Sequence, residues 1–230
     1  MKKLKPKSST ELKTELRRNL QEGISTGASR IESALLRLQS YSEEFGLDVS
    51  RPEDRFKWLL ASMLFARRIS SELAKRTYNR FEEGGLTTPE RILGAGWDRL
   101  VEVLDSGGYV RYDFSTASNL MEAVNKLLRE YGSLENMHTV SDSPRDLESR
   151  LMGLKGMGPV GVNIFLRELR CVWEKADPPP SKMAEAVSKR LGLDQIRPYE
   201  SALVRLNLEY CKKRLCGGCP VRDCCREAEI

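Results

Sequence analysis

One histidine, His138, occurs in 230 residues. Metal centres and catalytic mechanisms that need several imidazoles are excluded, and a lone histidine serves most often in packing or at the surface. No apolar run approaches the ~20 residues that a membrane helix requires, so no membrane association is expected. The lysine-rich start lacks the apolar stretch of a secretory signal, and the cytoplasm is the expected compartment. No stretch alternates apolar and polar residues for long with β-branched side chains, which argues against strands. Internal repeats and low-complexity segments are also lacking.

What is present is ordinary for a globular protein: 40% hydrophobic and 31% charged residues, with length enough for one large or two small domains. The net charge of +5 permits a polyanionic partner without demanding one. Helical periodicity runs through most of the chain, so the fold class is all-α. Residues 1–25 are basic and polar, with Leu12, Leu16 and Leu20 spaced for a short helix. A second helix is expected from about Ser29 to Phe45. Arg51-Pro52-Glu53-Asp54 opens the next, with proline and acids in its first turn, and FKWLLASMLFARR is apolar almost all round and so central. SSELAKRTYNRF, PERILGA, WDRLVEVLDS, FSTASNLMEAVNKLLREYG and PRDLESRLMGL follow, parted by glycine-rich or short polar turns. Pro178-Pro179-Pro180 cannot continue a helix and reads as a rigid crossing between lobes. Ser181 then caps KMAEAVSKRLGL, and a last helix after Pro198 runs into the cysteines.

The stretch Leu151–Leu169 holds the most informative turn. An apolar helix end meets Gly156-Met157-Gly158-Pro159, and a second apolar helix (Val160, Val162, Ile164, Phe165) begins at once. Two glycines about one residue permit a hairpin too tight for a Cβ. Such a turn aims backbone N–H groups of Gly156, Met157, Gly158, Val160 and Gly161 outward at a positive helix end, which suits a phosphate. A plain packing corner has the same pattern.

Five of six cysteines lie between Cys211 and Cys225. In a cytoplasmic chain such a terminal cluster reads as a metal site. Four thiolates in one loop can hold zinc or wrap an iron–sulfur cube. The absence of a second pair at zinc-ribbon distance favours the cube, and Gly217-Gly218 lets the loop turn tightly.

The double-glycine hairpin, the capped helix after it and the terminal cysteine loop, in this order, resemble the endonuclease III branch of the helix-hairpin-helix DNA glycosylases. The likeness runs from about Phe56 to the end. It implies a two-lobed fold: a six-helix barrel lobe, residues 53–177, with the hairpin at about 147–169, and an iron–sulfur lobe from 26–52 and 178–230. It implies a [4Fe-4S] cluster and double-stranded DNA bearing a damaged or mispaired base as partner; a monomer is expected. The family's cysteines are separated by six, two and five residues. Cys216, Cys219 and Cys225 match the last two gaps, Cys211 leaves four residues before Cys216, and Cys224 falls on a position that is usually not a ligand. The implied ligands are Cys211, Cys216, Cys219 and Cys225, with Cys224 in reserve.

The departures bear on mechanism. Bifunctional members carry a lysine two residues past the second glycine, whose amine forms a Schiff base with the sugar. Val160 stands there and cannot. Lys155 and Lys182 match no family position. The family's aspartate, which stabilises charge on the sugar or activates water, aligns with Ser181 from the downstream KRLGL. Counting from the hairpin lands beside Asp177, the nearest acid. Arg67 takes the place of a glutamine that often fills the gap left by a flipped base, a role a planar guanidinium can play. Tyr109, Tyr112 and Phe114 are aromatic candidates for stacking or for the core. The expected function is a monofunctional glycosylase using Asp177 and water. The alternatives are a DNA-binding protein of the same fold without base removal, and a zinc-stabilised adaptor.

Overall fold

A computed structural model describes residues 30–227, and every regular element among them is helical. The basic tail and the Leu12–Leu20 helix lie outside the described residues. The helix expected over 29–45 is two: α1 (Arg30–Arg37) and α2 (Tyr41–Glu44). Ser40 breaks it by starting a new helix. Its hydroxyl accepts from Glu43 N at 3.3 Å while Glu43 Oε2 accepts from Ser40 N at 2.8 Å, a reciprocal cap that stabilises a fresh N-terminus.

The next elements are α3 (Pro52–Phe65), α4 (Ser71–Glu83), α5 (Pro89–Ser106), α6 (Asp113–Tyr131), α7 (Leu134–Val140), α8 (Pro144–Met152) and α9 (Pro159–Leu169). The chain then continues through α10 (Lys182–Leu191) and α11 (Glu200–Leu206). It divides into two units, Val49–Pro178 and the remainder (Met1–Asp48 with Pro179–Ile230). The divisions fall four residues before and one after the positions expected from sequence. The earlier one has a local cause: Arg55 Nη1 donates to the carbonyls of Val49 and Ser50, both at 3.1 Å, and Val49 is buried, so the approach to α3 belongs with α3.

Within Val49–Pro178, α3 buries Trp58, Leu59, Leu60, Met63 and Leu64. Trp58 Nε1 donates to the Phe165 carbonyl in α9 at 3.2 Å, and the Tyr109 hydroxyl to the Leu64 carbonyl at 2.8 Å. Both bonds satisfy buried polar groups that would otherwise be costly. Tyr109 is therefore a core residue. Tyr112 is half-buried under Arg111, and Phe114 is exposed against Trp97, their centroids 5.3 Å apart. Among the described residues, eight helical segments occupy this unit, α5 comprising two, where six barrel helices were expected. One addition is α7, a short helix capped by Ser133, whose hydroxyl accepts from Asn136 N at 3.1 Å. PERILGA and WDRLVEVLDS are the two helices expected from sequence, run together as α5 across a kink at Gly96 (φ 76°, ψ 172°).

In the other unit, α1, α10 and α11 share a core that includes Leu35, Val187, Leu191, Leu203 and Leu206. Arg205 ties α2 to α11: it pairs with Glu44 at 2.8 Å and Glu209 at 3.1 Å, and its guanidinium lies over Tyr41. After α11 the chain makes one wide π-helical turn, Asn207–Cys211, before the cysteine loop.

His138 stacks flat on the buried Trp173, centroids 4.7 Å apart, fastening the segment after α9 to α7. Its Nε2 is buried without a hydrogen-bond partner among the described residues. Burial, then the charge of Lys175, lowers its pKa below the ordinary 6.5; Arg55 adds slightly, while Glu174 and Glu135 oppose.

Two predictions follow from these contacts. Below about pH 6.5 the unfolded chain takes up a proton that the folded chain resists, so stability declines from there until the pH passes the lower folded value. Urea midpoints across pH 5–8 should show that decline, and His138→Gln should flatten it. Separately, a Cβ on Gly107 would stand 2.7 Å from Thr77 Cα, a backbone atom that cannot swing away. Gly107→Ala should destabilise by about 2 kcal/mol and lower Tm by roughly 4–8 °C; an unchanged Tm would refute this account of the α4–α5 contact.

Candidate functional site

The hairpin is built by α8, a six-residue turn and α9. Capped by Ser143 at its start, α8 closes through Gly153, and Leu154 and Met157 bury their side chains beneath the turn. Met157 N donates to the Leu154 carbonyl at 3.0 Å, so the turn is closed by the backbone itself and this amide, expected to face outward, is spent within it. Gly156 has φ +87°, and a Cβ there would meet Asn119 Cβ at 3.0 Å and Met63 Cε at 3.3 Å. Glycine is required at that residue both for conformation and for the close approach to α6. Gly158 is different. It sits in extended backbone (φ −86°, ψ −179°) at the N-cap of α9 with nothing within 4 Å of its Cβ position, and no side chain caps the helix. The first amides of α9 are thus left to whatever approaches from outside.

Gly161 is buried with Ala66 Cβ 3.3 Å from its Cβ position, which sets the start of α9 against the end of α3. Arg67 is the next residue after Ala66. It is half-buried, and its charge pulls down the Tyr109 hydroxyl, which burial pushes well above its usual value. The fold therefore brings Arg67 and the glycine hairpin into one neighbourhood. Val160 points outward, 59% exposed, and Lys155 is an exposed partner of Glu122 at 3.8 Å. Lys126, which sequence reasoning missed, donates to the Gly153 carbonyl at 3.0 Å and holds the hairpin to α6.

Asp177 lies elsewhere. Its Oδ1 is 3.6 Å from Arg170 Nε, just beyond the last turn of α9, and its charge raises the pKa of Glu148 after burial does. Eleven residues of helix, roughly 16 Å, separate that end of α9 from the glycine turn. The hairpin mouth and Asp177 are at opposite ends of one helix. Ser181, the alternative position, acts as the N-cap of α10, its hydroxyl accepting from Ala184 N at 3.4 Å and its own N–H donating to the buried Glu200 carboxylate at 2.9 Å.

In the cysteine loop, Cys211 ends the wide turn, Cys216–Gly218 and Arg222–Cys224 form single helical turns, and Tyr210 C=O accepts from Leu215 N at 3.0 Å. Burial pushes the Cys219 thiol up, and Cys211, Cys225 and Cys216 raise it further. Cys211 is also raised first by burial; the charge of Arg190 acts in the opposite sense, and Cys225 and Cys216 raise it slightly. The four thiols chosen from the spacing lie within electrostatic reach of one another. Among the described residues no three His, Cys, Asp or Glu side chains close on a point suited to a single metal ion. No helix among them is long and apolar enough to cross a membrane.

The chain matches no protein-family model and no curated protein.

The two hairpin glycines should separate under substitution. Gly156→Ala incurs left-handed strain and a clash, and should destabilise by about 1–3 kcal/mol. Gly158→Ala should change stability by less than about 0.5 kcal/mol. Chemical denaturation of the two variants checks the contrast, and equal losses would contradict the assigned geometry.

Proposed function

We propose that the protein binds duplex DNA through the Gly156–Gly161 turn and acts in base excision repair as a monofunctional glycosylase. The observation that carries this reading is the open N-terminus of α9, uncapped and unobstructed at Gly158, with Arg67 beside it. Amides at a positive helix end suit a backbone phosphate, and a guanidinium next to them suits the gap left by an extruded base. Val160 has no amine, so the sugar carbon is attacked by water: the glycosidic bond breaks, the base departs, and the strand stays intact at an abasic site. Asp177, kept beside Arg170 and about half exposed, is the carboxylate proposed to assist.

Cys211, Cys216, Cys219 and Cys225 are the residues that would hold a [4Fe-4S] cluster. What supports this is the thiol donor set itself, with Cys211, Cys219 and Cys225 packed against the unit's apolar core. Bound there, the cluster would supply a covalent cross-brace for the loop and a one-electron couple.

A second reading, DNA binding without base removal, is favoured by one observation: the separation of Asp177 from the hairpin mouth along α9.

Duplexes carrying a panel of modified bases decide between them. The glycosylase predicts strand breaks only after hot alkali, lost in Asp177→Asn. Breaks without alkali would sink the monofunctional assignment. Tight, salt-sensitive binding with no base release from any duplex would establish the second reading. Gly158→Ala should weaken duplex affinity about tenfold, ~1.4 kcal/mol, while folding normally; wild-type affinity would remove the hairpin from the interface.

A further inference from the structure

Of three tryptophans in the chain, Trp58 and Trp173 are buried, whereas Trp97 is 39% exposed. It directly follows the Gly96 kink that starts the second half of α5. Its ring lies 5.3 Å from that of Phe114, 59% exposed at the start of α6. Two hydrogen bonds pin the pair. Trp97 Nε1 donates to Ser118 Oγ at 2.9 Å, and Ser118 Oγ donates to the Phe114 carbonyl at 2.9 Å. The single polar atom of the indole is thus spent within the protein, and an apolar aromatic plate is held open to solvent. Three residues before Phe114 stands Arg111, exposed, with its guanidinium 5.5 Å from the Tyr112 ring centre. The Tyr112 ring is in turn 6.2 Å from that of Tyr109, whose hydroxyl feels the charge of Arg67. Among the described residues neither Arg111 nor Arg67 has a carboxylate partner.

The plate and the hairpin share one helix. Phe114, Ser118, Glu122 and Lys126 stand four apart along α6 and so form one row on its surface. At the far end of that row, Glu122 pairs with Lys155 at 3.8 Å and Lys126 donates to the Gly153 carbonyl at 3.0 Å. Eight residues of helix, about 12 Å, separate Phe114 from Glu122, which is the rise of roughly three to four stacked nucleotides in one strand. We propose that the Trp97–Phe114 plate stacks an unpaired base of the DNA whose backbone is held at Gly158, so that the favoured substrate is duplex with an unpaired nucleotide. The inference rests on the reading of the hairpin as a DNA-binding turn and deepens it by naming the class of DNA. Every base has a π-face, so stacking on a fixed aromatic plate is tolerant of sequence and asks for no hydrogen bond from the indole. A base inside a perfect duplex has both faces covered by its neighbours and has none to offer. The arginines without carboxylates supply the charge that flanking phosphates complement, a feature that an apolar protein partner does not call for.

The test uses the full chain as wild type, Trp97→Ala, Phe114→Ala and Arg111→Gln, with a perfectly paired duplex and the same duplex carrying one unpaired thymine. Affinity at fixed salt and tryptophan emission are read for each. Because Trp58 and Trp173 are buried, a change in emission on binding reports on Trp97. Wild type should bind the duplex with the unpaired thymine about tenfold more tightly than the paired one, with quenched emission. Trp97→Ala and Phe114→Ala should lose that preference and keep their affinity for paired duplex. If Trp97→Ala does not fold, Phe114→Ala carries the test. Arg111→Gln should weaken both complexes about equally and reduce their salt dependence. Equal binding of the two duplexes by wild type, or a preference that survives in Phe114→Ala, overturns this proposal and leaves the hairpin reading standing. Sedimentation showing a dimeric wild type and a monomeric Phe114→Ala would make the plate a contact between two copies of the chain, and overturns it as well. Binding to neither duplex removes the DNA reading, and this inference with it.

Discussion

The close approach at Gly156 governs the hairpin. A residue at φ +87° brings the backbone against Asn119 and Met63, and only there can Met157 drop into the core while Gly158 stays in the open. The buried methionine fixes the turn from below. The exposed glycine leaves the start of α9 accessible from above. A side chain at the first glycine would lift the turn off α6, and with it the alignment of α9 against Ala66 and the arginine that follows. Hydrophobic burial and a backbone constraint are thus joined in four residues, and the proposed phosphate site is a by-product of how those residues pack.

Several polar groups in the core of that unit are satisfied by long-range bonds. Trp58 and Tyr109 each donate to a carbonyl of another helix, and Arg55 reaches Glu135 at 2.7 Å as well as two carbonyls ahead of α3. Each such bond is worth only about 1 kcal/mol net, yet leaving a partner unmade costs more. They act mainly as registration marks, specifying which turn of one helix faces which turn of the next.

Much of this was legible in the chain. Pro52 with two acids announced α3, Ser181 and Gly192 bounded α10, and the glycine pair announced the hairpin, because caps and turns are written in single residues. The reciprocal Ser40–Glu43 cap was also written there but was masked by a hydrophobic stripe running through it. The short α7 was missed since seven residues give too little periodicity to see. Site geometry was less accessible. Asp177 was chosen by its distance along the chain, but Arg170 holds it at the far end of α9, and an ion pair across seven residues has no sequence pattern. Arg190 served as part of an aligning motif, KRLGL, while its ion pair with Glu227 depends on how α10 and the chain after the loop fold together.

The wide turn at Asn207–Cys211 bears on how the cysteine loop could change in length. Lys212 N donates to the Asn207 carbonyl at 2.9 Å, Leu215 N to that of Tyr210 at 3.0 Å, and Arg214 sits at φ 55°, where a side chain is disfavoured. All the turning available to the segment from Cys211 to Cys216 is already in use. Gly217, by contrast, has open space about its Cβ position. An added residue should therefore be accommodated more easily on the glycine side of Cys216 than on the lysine side.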